Sequence, residues 1–233
     1  MKKLISTIFV SLFFLTSSHA LEGVNMGLSL SGGVFEVDGA SEDFAAGHVS
    51  NTSGSAAVSK KASDEGDTAE GAFVIGSIFV EKEFGDRFAV GIDYVPHSME
   101  SETAENVQID GPSEANGTSQ TNTVQVDFND LTTIYVTASV NDNVYVKLGM
   151  MTVDVKTNET LATGGAYGDT SLDGMIFGVG YNRDLDNGAF LRLEANMMDF
   201  DGVTVTNAND TNKSVSVDGI DGYGAKISVG KSF

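Results

Sequence analysis

Six charged residues sit inside stretches that alternate between apolar and polar side chains, where an unpaired charge is costly. Glu81, Asp93, Lys147, Arg192, Glu194 and Lys226 each lie on the parity opposite the aliphatic residues of their stretch. Three acids and three bases in one confined environment can neutralise one another as ion pairs or line a narrow solute path. Two other groups have the right residue types for chemistry. His97, Ser98 and Glu100 carry the elements of a nucleophile and its base, but neighbours on an extended chain point apart, so His97 is badly aimed at Ser98 and no catalytic residue is assigned. Asp199, Asp201, Asp210, Asp218 and Asp221 could attract a cation, yet their spacing matches no calcium loop; they read as solvated acids, and no metal or cofactor is expected. The chain has no cysteine, which removes disulfides and thiol chemistry.

The elements that must position the six charges are strands. Period-two alternation recurs in eight segments, about 24–37, 72–84, 88–94, 123–140, 144–155, 174–182, 189–197 and 223–233. In the third, Phe88, Val90, Ile92 and Tyr94 oppose Ala89, Gly91 and Asp93; in the fifth, Val144, Val146, Leu148 and Met150 oppose Tyr145, Lys147 and Gly149. The second segment is the least regular and puts Glu81 and Glu83 on the inner face. The fourth keeps Val124, Val126, Phe128, Thr132, Ile134 and Val136 on one parity throughout, with Asp130 interrupting it. In the first, Gly32 and Gly33 blur the register and mark an expected bulge. Long polar gaps at about 38–70, 97–122, 156–171 and 199–219 read as loops. They alternate with short turns at 85–87, 141–143 and 184–188. Eight strands with long and short connections in strict alternation predict an all-β, eight-stranded antiparallel up-and-down barrel with both termini at the short-turn end.

Alternation alone does not say which face is outside. A soluble, lipocalin-like barrel would turn its apolar face inward to a ligand. Three features favour the opposite. The aliphatic parity is almost free of charge. The polar parity is rich in Gly, Ala and Ser, which suits a lumen packed with ion pairs, since eight strands leave little free interior. Aromatics cluster near strand ends on the apolar face: Tyr94, Phe128 and Tyr223 at one rim, and Phe84, Phe88, Tyr181 and Phe233 at the other, as two interfacial girdles require. The expected barrel is therefore transmembrane, and its lumen is read as plugged.

The N-terminus fits export. Met1-Lys2-Lys3 precedes an apolar run over 4–15, with small residues at Ser18 and Ala20, so residues 1–20 read as a signal peptide cleaved between Ala20 and Leu21, leaving 21–233 as the barrel domain. With 33 acidic and 13 basic residues, for a net charge of -20, the chain lacks the basic surface that nucleic acid requires.

The final segment carries a resemblance. Tyr223, Ala225, Ile227, Val229 and Phe233 alternate with small and polar residues up to the C-terminal aromatic. With the signal peptide and the eight strands, this resembles the small outer-membrane barrels of the OmpA/OmpX and opacity-protein type. The resemblance implies that these five residues are the signal read by the barrel-assembly machinery. Lys231 departs from it, standing where an apolar residue is usual; a lysine at an interface can extend its amine to water. The resemblance further implies a monomer in the outer membrane, surrounded by its lipid, with a structural and surface-display role and an unidentified extracellular ligand for the loops. It is not expected to be an enzyme. The alternatives are a narrow small-solute channel and, behind it, a lipid A-modifying enzyme.

Overall fold

The computed structural model describes residues 22–45, 58–61, 68–110, 118–162 and 165–233. The expected signal peptide and the Ala20–Leu21 cleavage point lie outside them. Twelve strands are described: β1 (Val24–Asp38), β2 (Ser41–Phe44), β3 (Val58–Lys61), β4 (Thr68–Phe84), β5 (Phe88–Tyr94), β6 (Met99–Glu100), β7 (Ala104–Asp110), β8 (Thr118–Ser139), β9 (Val144–Leu161), β10 (Thr170–Asp184), β11 (Ala189–Thr206) and β12 (Lys213–Ser232). Eight of them close a barrel in the order β1-β4-β5-β8-β9-β10-β11-β12, and β12 returns to pair with β1. Every pairing is antiparallel. The closing ladder runs from Asn25↔Ser232 to Asp38↔Gly219, and Phe233 finishes it by accepting from Gly23 N at 2.7 Å and donating to Val24 O at 3.0 Å.

Following directly paired residues once round the wall gives Val24, Lys82, Val90, Val136, Leu148, Phe177, Met197, Tyr223 and then Val34. The path returns ten residues further along β1. For eight strands, that stagger implies a tilt of about 40° and an interior only wide enough for side chains.

Along each strand the outward residues are apolar up to a sharp limit. On β9, Val144, Val146, Leu148 and Met150 give way to Thr152 and Asp154; on β10, Met175 is followed by Asp173 toward the long-connection end. On β4, β1, β12 and β11 the limit is a row of directly paired carboxylates, Glu70↔Glu36, Glu36↔Asp221 and Asp221↔Asp199. The belt below is about ten residues deep, or about 25 Å at the usual rise and this tilt. Beyond the limit the inner face changes as well. Val153, Val155 and Leu172 are buried, with Phe128, Leu131 and Phe200 packed against them. The wall thus turns inside out along its length: apolar outside and charged inside below, polar outside and apolar inside above.

Several expectations are corrected. The bulge is not at Gly32 and Gly33, where pairing is continuous on both sides. It lies in β8, between Asn129↔Asp154 and Thr132↔Thr152, so Asp130 and Leu131 together face one residue of β9. Asp130 adopts φ 55°. The extra residue reverses the parity, so Phe128, opposite inward Val155, packs into the interior and is not part of the outer girdle. The other expected girdle residues remain on the outer face. Among the described residues, the four long connections are largely strand. β11 and β12 stay paired up to Thr206↔Ser214, and β2 and β3 extend the sheet beside β12. Alternating Val203, Val205, Val215 and Val217 explain this, since β-branched residues favour the pleat even in a polar segment.

A side chain at Gly33 would place its Cβ 2.2 Å from the backbone oxygen of Tyr223 on the closing strand, whereas one at Gly32 meets nothing nearer than 3.6 Å. Gly33→Val is therefore expected to lower the temperature at which the folded, SDS-resistant form is lost, and Gly32→Ala to leave it near the parent value. Gel mobility against heating temperature checks both.

Candidate functional site

The six charges of the inner parity meet as three pairs. Arg192 donates to Glu81 at 2.5 Å, Lys147 pairs with Glu194, and Lys226 pairs with Asp93. Their side chains come from β4, β5, β9, β11 and β12, so the ring of strands brings together residues as far as 133 positions apart in sequence. Glu81 is 1% exposed and has a second donor, the hydroxyl of Tyr135, at 2.9 Å. Tyr145 donates to Glu194 at 2.8 Å.

The tyrosines fit because the facing strands carry glycine. An added Cβ at Gly91 would lie 2.5 Å from the Tyr135 ring, and one at Gly180 would lie 2.1 Å from that of Tyr145. Aromatic faces also enclose the cations. The Arg192 guanidinium lies 4.5 Å from the Phe190 ring centre and 5.5 Å from that of Tyr145, and Lys147 sits 5.4 Å from that of Tyr135. Arg192 Nε donates to Asn182 at 3.1 Å. The partners Tyr135, Tyr145, Asn182 and Phe190 had no assigned role in the sequence. Their inward parity was readable; their aim was not.

Glu83 shares the parity of Glu81 but lies at the open short-turn mouth, where it accepts from Asn25 at 2.8 Å. A polar cavity of about 200 Å³ enters from this mouth between the turns and ends on Arg192 and Tyr145. Above the ion pairs the interior is the apolar layer around Val153 and Leu172. Two unlike barriers therefore lie in series along the axis.

The other candidate groups do not assemble. His97 Nε2 accepts from Gly76 N at 3.1 Å, which leaves Nδ1 to donate to the backbone oxygen of Ser98 at 3.2 Å, not to its hydroxyl. Asp199, Asp201 and Asp221 lie on the outer face of the sheet. Among the described residues no group of three or more acids and histidines is arranged to hold a metal ion. Near the long-connection end, burial pushes the Tyr167 hydroxyl up to about 12; Asn207 opposes the shift, and the carboxylates of Glu42, Glu159 and Asp210 add to it.

No protein-family model matches the chain, and no curated protein matches it. Among solved structures it is similar to the outer membrane protein OprG from Pseudomonas aeruginosa, with TM-score 0.45, 13% identity, and coverage of 91% of this chain and 96% of that one. It is similar to the outer membrane protease OmpT from Escherichia coli, with TM-score 0.40, 10% identity, and coverage of 94% and 99%. It is also similar to Ail, the attachment invasion locus protein of Yersinia pestis, with TM-score 0.35, 10% identity, and coverage of 88% and 98%. At these scores the likenesses support no inference about activity, ligand or location.

Removing one partner of a buried pair strands the other charge, at a cost of about 3–5 kcal/mol, whereas removing both costs far less. Glu81→Gln is expected to shift the urea unfolding midpoint of refolded protein strongly downward, and Glu81→Gln combined with Arg192→Met to recover most of the loss. Equal losses in the two variants would show that the pair is not desolvated.

Proposed function

We propose that this protein is an integral, non-conducting barrel of the Gram-negative outer membrane that stabilises the membrane and displays a rigid β-extension at the cell surface. The carrying observation is the reversal of polarity along the wall. Exposed large apolar side chains outnumber buried ones among the described residues, opposite to the pattern of a water-soluble domain, and they form a belt of bilayer depth. Beyond the belt the wall is polar outside with an apolar interior, as water demands.

The closed lumen rests on both barriers. The six mid-barrel charges neutralise one another in three pairs, and the apolar layer above would exclude water even with a pair opened. The display reading rests on β11 and β12, which remain paired well past the acidic row. On this reading the partners are the surrounding lipid, the barrel-assembly machinery reading Tyr223, Ala225, Ile227, Val229 and Phe233, and an extracellular ligand for the extension. Lys231 suits the rim because its amine lies 5.4 Å from the Phe233 ring centre. The protein is read as a monomer without catalytic activity.

Refolded into lipid vesicles, the protein is expected to migrate differently on a gel before and after heating, and to give no single-channel steps in planar bilayers. A protein that stays soluble without detergent would refute the membrane reading; steady steps altered by Glu81→Gln would refute the closed lumen. Phe233→Asn is expected to reduce outer-membrane yield, measured by fractionation of expressing cells.

A further inference from the structure

We infer that the outer wall at the short-turn end carries a binding site for an anionic phospholipid, with Arg183 and Lys231 holding its phosphodiester over Ala189. The inference rests on the membrane reading above.

The site comes from the sign of the charges at the two edges of the belt. On the outward parity of the eight barrel strands, the lower edge carries three charged residues: Lys82 on β4, Arg183 on β10 and Lys231 on β12. All three are basic and exposed. The acids of that end do not share their face. Glu83 and Asp184 lie on the inner parity, and Asp86, Asp142 and Asp186 lie in the turns. At the upper edge of the same flank the row is Glu70, Glu36, Asp221 and Asp199, with no base among them. Charges that only had to reach water could take either sign at either edge. A flank acidic at one edge and basic at the other fits two leaflets of unlike headgroups, the lower one anionic.

Two of the three bases flank one gap. Lys231 is directly paired with Ala189, and Arg183 is paired with Leu191, the next outward residue of β11. Arg183 and Lys231 therefore stand on either side of Ala189, about 10 Å apart at two strand spacings. Both side chains are long enough to meet over the small residue between them. Among the described residues neither has a carboxylate partner, and the contact given for Lys231 is with the Phe233 ring. Lys82, by contrast, is engaged by the backbone oxygen of Glu22. A guanidinium and an ammonium across a gap suit a phosphate: the arginine fork bonds two oxygens and the lysine supplies a point charge. Toward the middle of the belt, Leu191 pairs with Val229 and Leu193 with Ile227, all four exposed. An acyl chain carried by that phosphate would lie along this strip. With no acid on the face, the site offers nothing to the ammonium of a zwitterionic head, so it selects a head of net negative charge.

The chain has no tryptophan, so Leu191→Trp places a single fluorophore beside the site. In phosphatidylcholine vesicles holding a minority of phosphatidylglycerol, quenching by brominated acyl chains reports which lipid touches it. Brominated phosphatidylglycerol is expected to be enriched at Leu191→Trp over brominated phosphatidylcholine. Adding Arg183→Gln or Lys231→Gln should each reduce that preference about fivefold, the attraction of one base close to an anionic surface. Arg183→Lys, which keeps the charge, should retain most of it. Val136→Trp, on β8 of the opposite wall, has no outward base on either neighbouring strand and should show no preference. Heat-shifted gel mobility confirms that each variant is folded. Equal quenching by the two lipids at Leu191→Trp in folded, vesicle-inserted protein would overturn the site. So would a preference that survives loss of both bases, or one equally strong at Val136→Trp. Failure to insert into vesicles would instead overturn the membrane reading.

Discussion

In the bilayer proposed for it, every backbone N–H and C=O of the belt would need a partner within the protein, because hydrocarbon offers none. The rest of the structure depends on this. It requires β12 to return to β1, and the ten-residue stagger at which they meet fixes the tilt and so the narrow bore. The bore decides what the inner parity can hold. Gly33, Gly91 and Gly180 are needed where a neighbouring backbone or a tyrosine ring occupies the space of a Cβ. One closure condition thus links the register of the final strand to the composition of the lumen.

The lumen charges are a consequence of confinement more than a source of stability. A buried pair recovers in attraction roughly what it loses in hydration, and a well-packed apolar set of equal volume often does as well. The arrangement gains selectivity of register. With Glu81, Asp93 and Glu194 each matched to one base, sliding β4, β5 or β11 by one residue would turn a carboxylate to the outer face and leave its partner bare. The apolar layer above cannot supply that, since Val153 and Leu172 tolerate exchange with other aliphatics.

The barrel was legible because its signal is binary and repeated: parity gave eight strands and put all six charges on one face, and the charge-free aliphatic parity, the small residues opposite it and the aromatics at the strand ends gave the outward face. Two things were not legible, for different reasons. The parity of 123–140 is unbroken on paper, yet one inserted residue at Asp130 reverses it, and nothing in the residue types near Asp130 distinguishes a bulge from a strand leaving the belt. The upper strands were read as loops because Asp, Asn, Thr and Ser dominate them; those residues face water on one side of a sheet as readily as they form turns. Which acid meets which base depends on the barrel stagger, which connects Glu81 to Arg192 across 111 positions and leaves no trace in local sequence.

The row of Glu70, Glu36, Asp221 and Asp199 gives the molecule a waterline. Like charges facing across three adjacent ladders repel, so the row is tolerable only where water and counterions can screen it. Lowering that side of the barrel by one step would drag four carboxylates into oil; raising it would strip Val34 and Tyr223 of theirs. On the opposite side the limit runs through Thr132, Thr152 and Asp173, one carboxylate where the acidic flank has four. In the proposed bilayer the protein would therefore be moored firmly along one flank and loosely along the other, and rocking of the barrel would pivot on the acidic flank.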